Sequence, residues 1–416
     1  MFQLSHLKCV LLLAFIFTVP LVHAENMPHN DELAVDNTLN LHSLVEKALP
    51  HYPNTQLLSA KKLELEARQI QAKSFLPSSS SLVLRNQNDQ LTSRRGETEW
   101  EFGVDIPIWL SGQRKAREAI AAASELNLNN DKQSIQLQLA GMVRDALWDI
   151  NLMQGLATIA KLKFEALRQL QSDVEKRVKL GDLAQKDLLI AQTETLQAEA
   201  ENINAEAEFQ HAKFRYINLT GLKIIPQEFT EIKSVKTNLD ESHPALHDAK
   251  GKVTLSNELR NLAQIETREN PTLTLGARSL RGAFDNQYND SIGLTLRIPL
   301  QSETRNAPLR ASAEMNYAES QVNLSQLNIL LTAAMHEAER NLEVSSMQLE
   351  VLTKQNNIAQ QNLNISRKAF QLGELDLSDL IRIQTQTFNT ERTLKNQQVQ
   401  QLWNIARYNQ AVGELP

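Results

Sequence analysis

Leu180-Gly181-Asp182-Leu183 returns further along the chain as Leu372-Gly373-Glu374-Leu375, and the segments around it return with it. Ile106-Pro107-Ile108 recurs as Ile298-Pro299-Leu300, Asp187-Leu188 as Asp379-Leu380, and Gln192-Thr193 as Gln384-Thr385. Arg215-Tyr216 recurs as Arg407-Tyr408 and Gly221 as Gly413. The offset is 192 residues each time (299 − 107, 413 − 221). An ungapped offset held over this span means that one structural unit was duplicated with its element lengths intact.

On the N-terminal side of each repeated tip the chain reads as helix. No proline lies between Pro107 and Pro226 or between Pro308 and Pro416, and Gly373 is the one glycine between Gly293 and Gly413. Leu139, Val143, Ala146, Ile150, Met153, Ala157, Ala160, Phe164 and Leu167 alternate steps of four and three. Leu324, Leu327, Leu331, Ala334, Ala338, Leu342, Ser345, Leu349 and Leu352 keep the same sustained alternation, which is a coiled-coil seam. Gln113 to Leu180 would span on the order of 100 Å as a helix. Gly181 and Gly373 are helix C-caps, each followed by an acid suited to a new helix start. Each copy is therefore a helical hairpin.

Upstream of each hairpin the period drops to two. Trp100, Phe102, Val104, Ile106 and Ile108 alternate with Glu99, Glu101, Gly103 and Asp105; Ile292, Leu294, Leu296, Ile298 and Leu300 alternate with Ser291, Gly293, Thr295 and Arg297. With partner strands around Leu82–Leu84 and Leu273–Ala277 these read as two β-hairpins, apolar on one face and polar on the other. Trp100, Trp109, Phe284 and Tyr288 fall near strand ends, where an aromatic girdle would lie. Residues Leu41–Ser74 and Pro244–Glu269 read as helices leading into each unit.

The pattern fits a membrane barrel with a polar lumen. Four strands cannot close one, and open strand edges are forbidden in lipid. Two chains would give eight strands, a lumen that side chains fill, whereas three chains give twelve and an open lumen. The expected fold class is therefore mainly α with membrane β: a duplicated strand-strand-helix-helix unit, long coiled-coil hairpins, and four strands given to a trimeric 12-stranded barrel.

The N-terminus reads as an export signal, with Lys8, the apolar run Cys9–Val19 and a cleavage site at Val22-His23-Ala24. The run falls short of the ~20 residues of a membrane span. Cys9 is the single cysteine and has no lipidation context, so the mature chain would have no thiol, disulfide or lipid anchor. Losing Lys8 changes the net charge from −6 to −7, and a mildly acidic chain without a basic block points away from nucleic acid. The organisation expected is a signal peptide at 1–24, repeats at 25–222 and 244–416, and a linker at 223–243 packing outside the helices.

Taken together, the duplicated order, the prolines at strand–helix junctions (Pro77, Pro107, Pro271, Pro299) and the twin tips resemble the TolC-type outer-membrane factors. The compact length is similar to the heavy-metal efflux branch. The resemblance implies a homotrimer in outer-membrane lipid with a helical tunnel through the periplasm. It implies a passive efflux or type I secretion channel, served by a periplasmic adapter (membrane fusion) protein and an inner-membrane pump of the RND type. It makes Val178, Leu180, Gly181, Asp182, Leu183, Phe370, Leu372, Gly373, Glu374 and Leu375 the adapter-contact tips. Asp187, Asp379 and Arg382 become the periplasmic gate. Three copies of each acid would form a cation-favouring ring, although a first-turn acid is equally explained as stabilising a helix start. The chain departs from relatives in having Leu375 and Arg382 where they carry an arginine and an acid. Arg382 then has Asp187 as a candidate partner.

No catalytic constellation, phosphate loop or zinc-protease signature is present, so no enzyme activity and no cofactor is expected. His243 and His247 have helical metal-ligand spacing, but no third ligand follows and both read better as surface residues at a helix start. The alternative to a channel is a periplasmic adapter or coiled-coil scaffold. Such a protein would carry one hairpin flanked by β-domains rather than two with amphipathic strands.

Overall fold

The computed structural model describes residues 32–300 and 303–416, so the export signal and Cys9 lie outside the described residues. In chain order the elements are β1 (Ala34–Asp36), α1 (Leu41–Ala48), α2 (Asn54–Lys73), β2 (Ser81–Asn88), β3 (Thr98–Pro107), α3 (Gln113–Leu180) and α4 (Gln185–Thr220). They continue with β4 (Ile224–Pro226), α5 (Pro244–Ile265), β5 (Thr272–Arg281), β6 (Asn289–Arg297), α6 (Glu303–Leu372) and α7 (Leu377–Ala411).

The four long helices form two hairpins. α3 and α6 run for 68 and 70 residues; α3 has no internal proline, Pro308 falls in the second turn of α6 with none after it, and both helices end at a left-handed glycine. Gly181 has φ 85° and Gly373 φ 79°, a conformation that costs a residue with Cβ about 1–2 kcal/mol. Beyond each glycine the Asp182 amide donates to the Arg177 carbonyl and the Glu374 amide to the Ala369 carbonyl, both at 2.9 Å. These bonds satisfy carbonyls that the helix ends leave free. The expected seam faces inward: Leu139, Val143, Ile150, Ala157 and Leu167 are buried on α3, and Ala338 and Ser345 on α6. Ala334 is the exposed exception. Thr195 and Thr387, 192 residues apart, both donate to a carbonyl of the opposite helix of their hairpin, Leu167 and Ala359, at 3.3 Å.

The two β-hairpins join into one antiparallel sheet of order β2-β3-β5-β6. Its register places Leu84, Phe102, Ala277 and Ile292 side by side, with Leu82, Val104, Leu275 and Leu294 in the next row of that face. All of these large apolar side chains are exposed. On the other face Glu99 pairs with Arg278 at 2.6 Å, Arg85 with Glu101 at 3.6 Å, and Thr274 donates to Asp105. Gly103, Gly276 and Gly293 lie opposite one another across three strands of that polar face. A Cβ at Gly276 would come within 2.8 Å of the Phe102 carbonyl, so the backbones approach closely there.

Two expectations change. Leu41–Ser74 is not one helix: Pro50 and Pro53 divide it into α1, a short 3₁₀ turn and α2. The segment 223–243 is also more integrated than a linker. Its β4 pairs in parallel with β1, Phe229 meets Trp148 edge-on at 4.8 Å, and Glu231 holds buried Arg144 at 2.7 and 2.8 Å. The core under it joins Leu44, Val45, Leu139, Val143, Leu147 and Tyr216.

Candidate functional site: the paired hairpin tips

Leu180 and Leu372 stand at the ends of α3 and α6 with 77% and 74% of their surface exposed. Gly181, Asp182, Gly373 and Glu374 complete the two turns and are exposed as well. Behind them lies a layer that belongs to both hairpins. Val174 and Ala191 from the first pack with Leu363, Phe370, Leu377, Leu380 and Ile381 from the second. Val178, Leu183 and Leu375 cover its margin. The sequence-expected tip residues are thus brought together, some as an exposed apolar rim and some as the layer that fixes it.

The acids after the tips differ. Asp187 accepts the Ala184 backbone amide at 3.2 Å, reaching back over the start of α4 as a helix-stabilising carboxylate does. Asp379 takes no such bond and pairs with Arg382 at 3.1 Å. Within the chain Arg382 therefore pairs with Asp379 and not with Asp187. Three residues separate Asp379 and Arg382, so the helix itself makes them neighbours, whereas Asp187 is engaged on another helix.

Arg177 was not singled out from sequence. It reaches from α3 to the end of α6, donating to the Phe370 carbonyl at 3.3 Å and the Gln371 carbonyl at 3.2 Å. Its guanidinium also lies 5.2 Å from the centre of the Phe370 ring. A cleft of about 470 Å³ between the hairpins is lined by Arg177, Asp173, Arg367 and Phe370 among others. The signal available in the sequence was a mismatch, because the residue 192 positions after Arg177 is Ala369.

Far from the tips, His243 is buried where a surface residue was expected, and His247 is exposed as expected. His243 is 1% exposed, and its Nδ1 accepts the Ala245 amide at 3.2 Å as the N-cap of α5. Burial is the main force lowering its pKa below 6.5, aided by nearby Lys236. His247 is exposed and shares no site with it. Among the described residues no cluster of three or more His, Cys, Asp or Glu could hold a metal ion, and no helix is long and apolar enough to cross a membrane. Tyr216 and Tyr408 donate from matching positions to the carbonyls of Ile224 and Lys236, both at 2.6 Å, and burial pushes both phenols up.

A second set of apolar positions also escaped the sequence reading. On α6, Val344, Val351, Ile358, Ile365 and Leu372 recur every seven residues and are exposed. On α4, Leu189, Leu196 and Ile203 do the same. The expected seams join helices within the chain; these stripes face outward from its two sides.

Compared with solved structures, the chain superposes along almost its whole length. The outer membrane protein VceC of Vibrio cholerae matches with a TM-score of 0.73 at 16% identity, covering 90% of this chain and 96% of that one. The chain has the TolC-type fold. The CmeC outer membrane channel of Campylobacter jejuni shares that fold with a TM-score of 0.72 at 14% identity, over 90% of this chain and 85% of that one. The open-state MtrE outer membrane channel of Neisseria gonorrhoeae does so at 0.68 and 14%, over 92% and 90%. No family model and no curated protein matches the sequence. In the TolC-type fold the tips and the sheet lie at opposite ends of α3 and α6, so α3 and α6 fix the distance between them.

Proposed function

We propose that three copies of this chain form an outer-membrane channel that conducts efflux substrates passively from the periplasm to the exterior. The observation that carries the reading is the four-stranded sheet, exposed and apolar on one face, charged on the other, with β2 and β6 unpaired at its edges. In lipid those edges require partners, and three copies pairing β6 to β2 make a closed barrel of twelve strands. The stripes on α4 and α6 supply the matching contact below it. Seven-residue spacing is what a helix offers to another helix in a supercoil.

The tips form the periplasmic end. The exposed Leu180 and Leu372 fit the apolar anchors of a helical hairpin from an adapter protein, which joins the channel to an inner-membrane pump. Asp187, Asp379 and Arg382 set the charge of the mouth, and the repeat boundaries at 25–222 and 244–416 define the two units each protomer contributes.

The decisive experiment is reconstitution. Membranes fractionated from a Gram-negative cell should yield the protein in the outer membrane, and the purified trimer should conduct ions in a planar bilayer. A monomer recovered in the soluble periplasm, silent in bilayers, would defeat this reading.

A further inference from the structure

Arg177 makes three contacts with the end of α6, and none of them is repeated by the duplication. Phe370 and Gln371 carry carbonyls in the last turn of α6, where helix amides run out; the Phe370 carbonyl accepts the Gly373 amide at 3.2 Å and still has a second lone pair. The guanidinium donates to both from another helix. It also brings a positive charge to the negative end of the α6 dipole and lies over the buried Phe370 ring. A planar fork suits this task, since one side chain has to serve two acceptors and a ring together. The apolar layer beneath is shared by both hairpins, so polar and apolar contacts bind the same two bodies.

In a closed ring of six hairpins the duplication makes two kinds of junction. Within a protomer the junction is bridged from position 177. Between protomers the equivalent position is 369, and Ala369 is too short to reach anything across a seam.

We infer that Arg177 locks the two hairpin tips of each protomer into one body, so that the mouth parts along the seams between protomers and not within them. This rests on the trimeric-channel reading. The ring then alternates three clamped junctions with three unclamped ones, and an adapter that pries the tips apart meets the least resistance between chains.

Spin labels test the clamp directly. Lys179→Cys and Glu374→Cys put labels on the two exposed tips of one chain, and dilution into unlabelled chains leaves one labelled protomer per trimer. Pulsed dipolar spectroscopy should give a single narrow distance. That narrow distance should be lost in Arg177→Ala, and Arg177→Lys should fail to restore it. Labels at Lys179→Cys alone, undiluted, report the between-protomer distances, which should be broad and should narrow when Ala369→Arg is added. In bilayers Ala369→Arg should open less often than the unsubstituted trimer.

A within-protomer distance as broad as the between-protomer one, or one unmoved by Arg177→Ala, overturns the proposal. So does an Ala369→Arg trimer that opens as often as the parent. Absence of any between-protomer dipolar signal would instead remove the trimer, leaving the diluted measurement to judge the clamp alone.

Discussion

Arg382 turns back along its own helix, its Nη2 3.1 Å from Oδ1 of Asp379, with the two side chains 67% and 51% exposed. An exposed pair of this kind contributes little to stability, so its effect is on the local field. Arg382→Ala should change unfolding free energy by less than about 0.5 kcal/mol. If three copies form the proposed channel, it should also raise the channel's cation preference, because three Asp379 carboxylates lose their partners. Reversal potentials in a salt gradient measure this, with Asp379→Asn shifting the other way. Potentials unchanged in both variants would take the pair out of the conduction path.

Gly221 and Gly413 are the same position in the two copies, with φ 70° and 75°, but their surroundings differ. A Cβ at Gly221 would come within 2.7 Å of His51, which is exposed and has room to swing aside. At Gly413 it would come within 2.5 Å of His243, which is buried. Gly221→Ala should therefore cost about 1–2 kcal/mol from backbone strain alone. Gly413→Ala should add about 1–3 kcal/mol of overpacking to that. Denaturant midpoints compare them, and equal losses would mean that His243 yields as easily as His51.

His243 gives the protein an acid-sensitive point. Its folded-state pKa lies below the ordinary 6.5, so the native state resists the proton that the unfolded chain accepts. Stability is full above about pH 6.5 and falls as pH drops from there toward the depressed folded value. His243→Asn keeps an acceptor for the Ala245 amide but does not titrate in this range. Unfolding curves between pH 7 and 5 should be flatter for this variant, and parallel curves would assign the acid sensitivity elsewhere.

The outward stripe on α6 makes a prediction about assembly. Ile358 is exposed in the protomer and lies in the middle of the seven-residue repeat. Ile358→Glu should leave helix content by circular dichroism unchanged and shift the trimer toward monomers in sedimentation. A trimer as stable as the parent would show that this stripe faces solvent or lumen.

Much of this architecture was legible from residue spacing. The ends of α3 and α6 fall at Leu180 and Leu372, where glycine and the 192-residue offset put them. The strands fall where the period changes to two. What spacing could not supply was contact between distant parts of the chain. His243 reads as a surface residue until Gly413, 170 positions away, leaves the room that lets it be buried (413 − 243). Arg382 has several acids within reach on paper, and the helix chooses the one three residues back. The break between α1 and α2 comes from Pro50 and Pro53, which interrupt the surrounding helical pattern. Arg177 would have been found by asking where the two copies disagree and not where they agree.

The unpaired edges of β2 and β6 also bear on how the protein reaches its membrane. A barrel made from one chain can be built into lipid strand after strand, because its last strand finds its first on the same polypeptide. On the proposed trimeric-channel reading, the strand that closes the circle belongs to another molecule. A lone protomer entering lipid would carry two rows of unpaired backbone groups, each costing several kcal/mol. On that reading the copies have to meet in the periplasm, held by α4 and α6, before the sheet is committed to the bilayer. The long helices would then be an assembly device as well as a conduit wall, bringing three unfinished sheets into register while water still covers their edges.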